Sequence, residues 1–140
     1  MSMLKGKTAL VTGSTSGIGL GIAIALAEQG ANIIMNGFGE KDAAIAQVKA
    51  LGVEVEYHGA DMSKPAEIED LIKQTEKRFG SLDILVNNAG LALGRDSFEN
   101  ANLEDWETMI DTNVKGLLYV TKAIVPYMIE RGSGGHIINI

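Results

Sequence analysis

The sequence has no cysteine, only two prolines and two histidines, and aromatic residues make up 5% of it. Without cysteine there is neither a disulfide framework nor a thiolate metal centre. With so little proline and this many hydrophobic residues, the chain should fold rather than stay disordered. Basic side chains are in deficit: 12 Lys and Arg face 18 Asp and Glu, for a net charge of −6. That balance excludes the broad cationic face by which proteins hold nucleic acid or an anionic membrane, so neither is expected as a partner. No apolar run reaches the roughly 18 residues of a membrane span. Lys115 and Lys122 interrupt the best candidate, "VKGLLYVTKAIVPYMI". The opening "MSMLKGKTALVTG" is too short in apolar residues for a secretory signal, and a cytoplasmic protein is the expectation.

What is present is largely aliphatic. Hydrophobic residues are 46% of the 140, enough for one core in a single domain spanning 1–140. Five short runs rich in β-branched and aliphatic residues stand out: "TALVT" (8–12), "NIIMN" (32–36), "VEVEYH" (53–58), "LDILVN" (82–87) and "HIINI" (136–140). Between them lie helical patterns at about 17–29, 40–51, 64–79 and 103–131. In the third, Ile68, Leu71, Ile72, Thr75 and Phe79 form one stripe, with Ser63 placed to cap it and Gly80 past its end. In the fourth, Ile110, Val114, Leu117, Thr121, Val125 and Met128 form a similar stripe, and Pro126 should kink the helix. Strict alternation of strand and helix calls for an α/β, Rossmann-type doubly wound parallel sheet with right-handed crossovers. The apolar first and fourth runs read as central and the polar-ended third as an edge, giving the order 3-2-1-4-5.

The loop after the first run carries the chemistry. "GSTSGIG" (13–19) joins a strand to a helix start, where unpaired amides and the helix dipole make a seat for phosphate. Glycine at 13 allows a tight turn, and Gly17 and Gly19 let a diphosphate approach the backbone. Ser14, Thr15 and Ser16 add hydroxyl donors around them, and Ile18 begins the apolar helix pattern. The spacing is G-x-x-x-G-x-G rather than the dinucleotide-binding G-x-G-x-x-G, and it lacks the Gly-Lys-Ser/Thr ending of a P-loop.

"TGSTSGIG" resembles the T-G-x-x-x-G-I-G signature of the short-chain dehydrogenase/reductase family. "ADM" (60–62), "NNAG" (87–90) and "DTNVKG" (111–116) match further motifs of that family in the same order. The first part is most similar to its 3-hydroxybutyrate dehydrogenases, and the part from "NNAGLALG" onward to its 3-hydroxy-acid dehydrogenases. A flavodoxin-like domain would share the alternation but not these adenine-side motifs.

The resemblance implies a nicotinamide dinucleotide as cofactor and a hydride transfer between a secondary alcohol and a ketone. It assigns Gly13 to Gly19 to the cofactor diphosphate, Asp61 to the adenine amino group and Met62 to a neighbouring backbone contact. Asn88, Ala89 and Gly90 would lie against the adenosine ribose, whereas Asn87 reads as a tie between strands. Asn113 would hold a water in the active-site proton relay, although a helix-kink or sheet-bridging amide is also a reading of that residue. At the end of the second run, about 20 residues past the glycine loop, the family often carries Asp for NAD or Arg for NADP. Here Gly37 and Phe38 occupy those places, and no cation stands there or at Ser16. NADP brings one more phosphate to neutralise, so NAD is the expected cofactor, with Phe38 packed on the adenosine.

The same resemblance places a catalytic Ser just after the fifth strand and a Tyr-x-x-x-Lys pair in the next helix, and residues 1–140 contain neither. Tyr119 and Lys122 have the wrong spacing, Tyr127 is followed at i+4 by Arg131, and His58 and His136 read as strand-end residues. These 140 residues are therefore expected to be a cofactor-binding part, truncated after its fifth strand and inactive alone. The alternative is a non-catalytic nucleotide-binding module or an engineered or truncated piece of the fold. An uncovered "HIINI" edge would favour self-association.

Overall fold

β1 (Thr8–Val11), β2 (Asn32–Met35), β3 (Val55–Tyr57), β4 (Ile84–Asn87) and β5 (His136–Asn139) form one parallel sheet in the order β3-β2-β1-β4-β5. This computed structural model describes residues 2–140. Thr8 to Val11 pair in register with Asn32 to Met35 on one side, and Ala9 to Val11 with Ile84 to Val86 on the other. β1 and β4 are buried at every position, as two-sided central strands should be.

Alternation along the strands divides the core into two layers. Ala9, Val11, Ile33 and Met35 point to the side of α1 (Gly17–Glu28) and α2 (Asp42–Lys49), meeting Ala23, Ala27 and Val48. Leu10, Ile34 and Leu85 point to the other side, meeting Ile68, Leu71 and Ile72 of α3 (Pro65–Phe79) and residues of α5 (Gly116–Arg131). The α3 stripe is buried as its spacing predicts, apart from a half-buried Phe79, and Gly80 closes the helix in the left-handed conformation at φ 71°. Ser63 does not cap it. Lys64 stands at the N-cap, Pro65 supplies the pre-set first-turn dihedral, and the Ser63 hydroxyl donates to Asp61 Oδ1 instead.

The long fourth helix departs most from its sequence pattern. It is α4 (Leu103–Ile110), a π-helical turn (Asp111–Lys115) and α5, running on through Pro126. The side facing the sheet is Thr112, Gly116, Val120, Ile124 and Met128, while Ile110 and Val114 are half exposed. Ile110 and Met128 are about five ideal helical turns apart and would share a face in an unbroken helix. The extra residue in the π turn shifts that phase. The segment carries two apolar stripes, and the turn selects which one is buried.

At the amino-terminal end of the strands, Asp83 joins three elements. Its Oδ2 accepts the Thr8 amide at 2.8 Å and its Oδ1 meets Arg131 Nη1 of α5 at 2.6 Å. The carboxylate side chain is 8% exposed and the arginine 35%. Breaking a buried pair costs about 3–5 kcal/mol, and the half-solvated arginine lowers that figure. Asp83→Ala should cost about 2 kcal/mol in urea unfolding and leave ligand affinity at the opposite end of the sheet unchanged.

Candidate cofactor site

The carboxyl ends of β1 and β4 are clamped by one hydroxyl. Thr12 Oγ1 accepts the amide hydrogens of Asn88 at 3.0 Å and Ala89 at 2.9 Å. The Asn88 side-chain amide then donates to the carbonyls of Thr12 and Gly13, at 3.1 and 3.0 Å. This draws the first turn of α1 onto the strand ends. A Cβ on Gly19 would strike the Gly13 carbonyl oxygen and lie 2.5 Å from Asn88 Nδ2, so only glycine permits the approach. Gly17, at φ 57°, faces open space instead.

The resulting helix end is uncapped. Ser16 is extended at the N-cap and its side chain makes no capping bond, and no acidic residue occupies the first turn. Among the described residues, the amides of Gly17, Ile18 and Gly19 donate to no protein acceptor. Gly17 and Ile18 are exposed and Gly19 is buried behind them, so the free donors and the positive end of the helix dipole are matched to an anionic oxygen cluster. Ile18 is largely exposed beside them.

Gly13 and Ser14 are engaged differently, through a residue the sequence reading did not single out. Asn36, buried at the end of β2, accepts the Gly13 amide on Oδ1 at 3.2 Å. Its Nδ2 donates to the carbonyls of His58 and Ala60, at 3.0 and 2.9 Å. Its backbone N–H donates to the buried Ser14 hydroxyl at 3.1 Å, and its carbonyl accepts the Ser14 amide at 2.6 Å. Gly13 and Ser14 thus shape the loop rather than present free donors. The only sequence signal was a polar residue closing an apolar strand, which reads equally well as a strand end.

The remaining candidates lie along the same rim. Asp61 Oδ1 accepts the Ser63 amide and hydroxyl at 2.9 and 2.7 Å in a tight turn. Met62 is buried, with its carbonyl against Gly116. Thr15 Oγ1 donates to the Phe38 carbonyl at 3.3 Å, and the Phe38 side chain is exposed. Asn87 bridges Thr121 and Asn139, at 3.1 and 3.0 Å, as a strand tie should. Asn113 sits in the π turn on the exposed side rather than beside the buried stripe. Its Oδ1 accepts the Leu91 amide and its Nδ2 donates to the Leu91 carbonyl, both at 2.8 Å, with Gly90 alongside. In the same turn the Asp111 carboxylate bonds Lys115 at 3.0 Å and raises that ammonium's pKa.

The chain as a whole has counterparts among known proteins. The family model described as short chain dehydrogenase matches residues 7–140. The chain belongs to the short-chain dehydrogenase family. It is 53% identical over 140 residues to the D-beta-hydroxybutyrate dehydrogenase of Cupriavidus necator, covering 99% of this chain and 54% of that enzyme. It is 44% identical over 132 residues to an NADP-dependent 3-hydroxy acid dehydrogenase of Escherichia coli K12, covering 94% of this chain and 52% of that enzyme. An NAD+-bound xylitol dehydrogenase superposes with a TM-score of 0.93 at 30% identity, over 98% of this chain and 53% of that one. The chain thus spans about half the length of the relatives it matches.

Elsewhere the titratable groups have structural surroundings. His58 Nε2 meets Asp70 at 2.7 Å and its Nδ1 accepts the Ala60 amide at 3.1 Å. His136 is exposed at the start of β5. Tyr127 lies near Arg131, and burial followed by the Glu76 carboxylate raises its phenol pKa, the reverse of what a general base needs. Among the described residues no group of His, Asp or Glu could hold a metal ion, and no helix is long and apolar enough to cross a membrane.

Asn36→Leu would strand the Gly13 amide and the carbonyls of His58 and Ala60. It should cost about 3 kcal/mol in chemical denaturation, since each buried group left without a partner costs about 1–3 kcal/mol.

Proposed function

We propose that residues 13–19 hold the diphosphate of a nicotinamide dinucleotide, with NAD preferred over NADP. The proposal extends to the longer protein, which would interconvert a secondary alcohol, of the 3-hydroxy acid class, and its ketone. The observation that carries this reading is the set of unpartnered amides at Gly17, Ile18 and Gly19, held open at the strand ends by the Thr12–Asn88 clamp. The chain's own residues fit the group. The helix end meets the charge, Ser16 and Thr15 line it with hydroxyls, and Gly17 leaves room for it. Asp61 keeps its Oδ2 for the adenine amino group while Oδ1 fixes the turn, and Met62 holds the adjoining backbone. Asn88, Ala89 and Gly90 border the adenosine ribose, and Phe38 covers the adenosine from the other side. The bound nicotinamide supplies the hydride chemistry.

Asn113 acts first as a positioning residue: its amide pairs with both backbone groups of Leu91 and so fixes the loop segment that follows Gly90. One hydrogen on Nδ2 and one lone pair on Oδ1 are left over, enough to hold a relay water. Support for the 3-hydroxy acid class comes from the names of the two enzymes aligned above. A cytoplasmic location agrees with the acidic, cysteine-free composition. Self-association is proposed through β5, an edge strand whose Ile138 is 41% exposed and is followed by Ile140 at 64%.

Ser16→Asp separates anion binding from folding. A carboxylate at the N-cap should stabilise α1 by about 0.5–1 kcal/mol, read as a raised melting temperature. By occupying the same amides it should weaken NAD binding at least about tenfold in calorimetry, through lost donors and like charge. Unchanged affinity would refute the diphosphate seat. A second measurement follows NADH absorbance with 3-hydroxybutyrate and NAD. Residues 1–140 should bind without turnover, because they contain no Tyr-x-x-x-Lys set. Sedimentation of the same sample should show species larger than the monomer.

A further inference from the structure

The turn that carries Asp61 is held by a side chain that cofactor binding leaves unused. Both nitrogens of the His58 ring are engaged within the protein. Nδ1 accepts the Ala60 amide at 3.1 Å, so the ring hydrogen stands on Nε2, which donates to Asp70 Oδ2 at 2.7 Å. The bond to Ala60 closes a side-chain-to-backbone turn of the kind that Asn and Asp make elsewhere. Inside it lies Gly59, where a Cβ would come 3.1 Å from the Tyr57 hydroxyl. Asn36 ties the carbonyls of His58 and Ala60 to the end of β2. α3 grips the same segment at two points about one helical turn apart. Glu67 Oε1 accepts the Asp61 amide at 3.2 Å, and Asp70 holds the imidazole. Gln74 donates to that Asp70 oxygen at 2.8 Å and fixes the carboxylate in turn. Among the described residues, only Asp61 Oδ2 is left without a bond to the protein, since Oδ1 is taken by Ser63.

Resting on the dinucleotide reading above, we propose that His58, fixed by Asp70, is the positioning residue that aims the Asp61 carboxylate at the adenine amino group. With 17% of its side chain exposed and both nitrogens spent, His58 offers a ligand no free nitrogen. What it does is carry the position of α3 into the backbone of the turn. The ring is rigid and its two nitrogens face different partners, so the Asp70 carboxylate and the Ala60 amide are held at a fixed separation. Hydrogen bonds weaken steeply with distance and angle. A turn released from α3 therefore loses its grip on the base while the diphosphate seat, on α1, stays as it was.

The test is calorimetric titration of NAD+ and of its hypoxanthine analogue, in which a carbonyl oxygen replaces the adenine amino group. Wild-type protein should bind NAD+ about tenfold more tightly, because the analogue turns an acceptor toward Asp61 where a donor is needed. His58→Leu should weaken NAD+ about fivefold and leave the analogue within about twofold. Asp70→Ala should act in the same direction, and adding it to His58→Leu should cost nothing further. His58→Asn, whose Oδ1 can take the place of Nδ1 toward Ala60, should keep most of the preference for NAD+. Equal weakening of both ligands by His58→Leu would overturn the inference, because His58 would then serve folding alone. So would a preference that neither substitution moves, or a wild-type protein that binds the two ligands alike. A wild-type protein that binds neither would overturn the dinucleotide reading itself, and that result appears before any substitution is made.

Discussion

The site depends on how closely the first turn of α1 can approach the ends of β1 and β4. Thr12 and Asn88 tie the two strands and the glycine loop together with bonds of about 3 Å, and the absent side chain at Gly19 lets the helix settle against the Gly13 carbonyl. If the helix stood further off, its amides would meet water rather than a shaped opening. With the helix seated, the N–H groups of Gly17, Ile18 and Gly19 keep no protein acceptor and Ser16 does not cap them. The polar groups beneath that outlet are all paired within the protein, which keeps the opening rigid without taking up its donors.

The molecule divides its work between the two ends of one sheet. At the amino-terminal ends, Asp83, Thr8 and Arg131 join two strands and the longest helix. At the carboxyl-terminal ends, Asn36 holds the glycine loop against the turn that follows β3. The second junction is a buried polar network, satisfied at every atom the structure shows. Such a network favours one loop conformation over its neighbours, whereas apolar packing alone would tolerate several. Membership of the short-chain dehydrogenase family is consistent with this placement, since the matching region begins at Lys7 and runs through both junctions.

Much of this was legible in the residues. Alternating apolar runs and helical stripes predicted five parallel strands in the order found, and β1 and β4 are buried on both sides because they contain almost nothing but aliphatic side chains. The glycine loop was legible because its residue types leave few alternatives behind a strand. Three features were not. Ser63 looked like a cap but serves the Asp61 turn, because local side-chain bonding competes with capping. Asn36 read only as a polar strand end, since its partners lie more than twenty residues away in sequence. The face of the fourth helix was misassigned because a period of 3.6 assumes an unbroken ladder, and the π turn breaks it.

That π turn also bears on how this helix can vary. An insertion inside a regular helix rotates everything after it by about 100°, but here the wider turn absorbs the surplus residue and keeps the two halves in phase. Deleting one residue between Asp111 and Lys115 would close the turn into ordinary α-helix and leave Val120 and Ile124 facing the sheet. What would be lost is local, the bulged backbone that carries the Asn113 amide to Leu91. The helix would keep its inner surface and give up only its hold on the segment after Gly90.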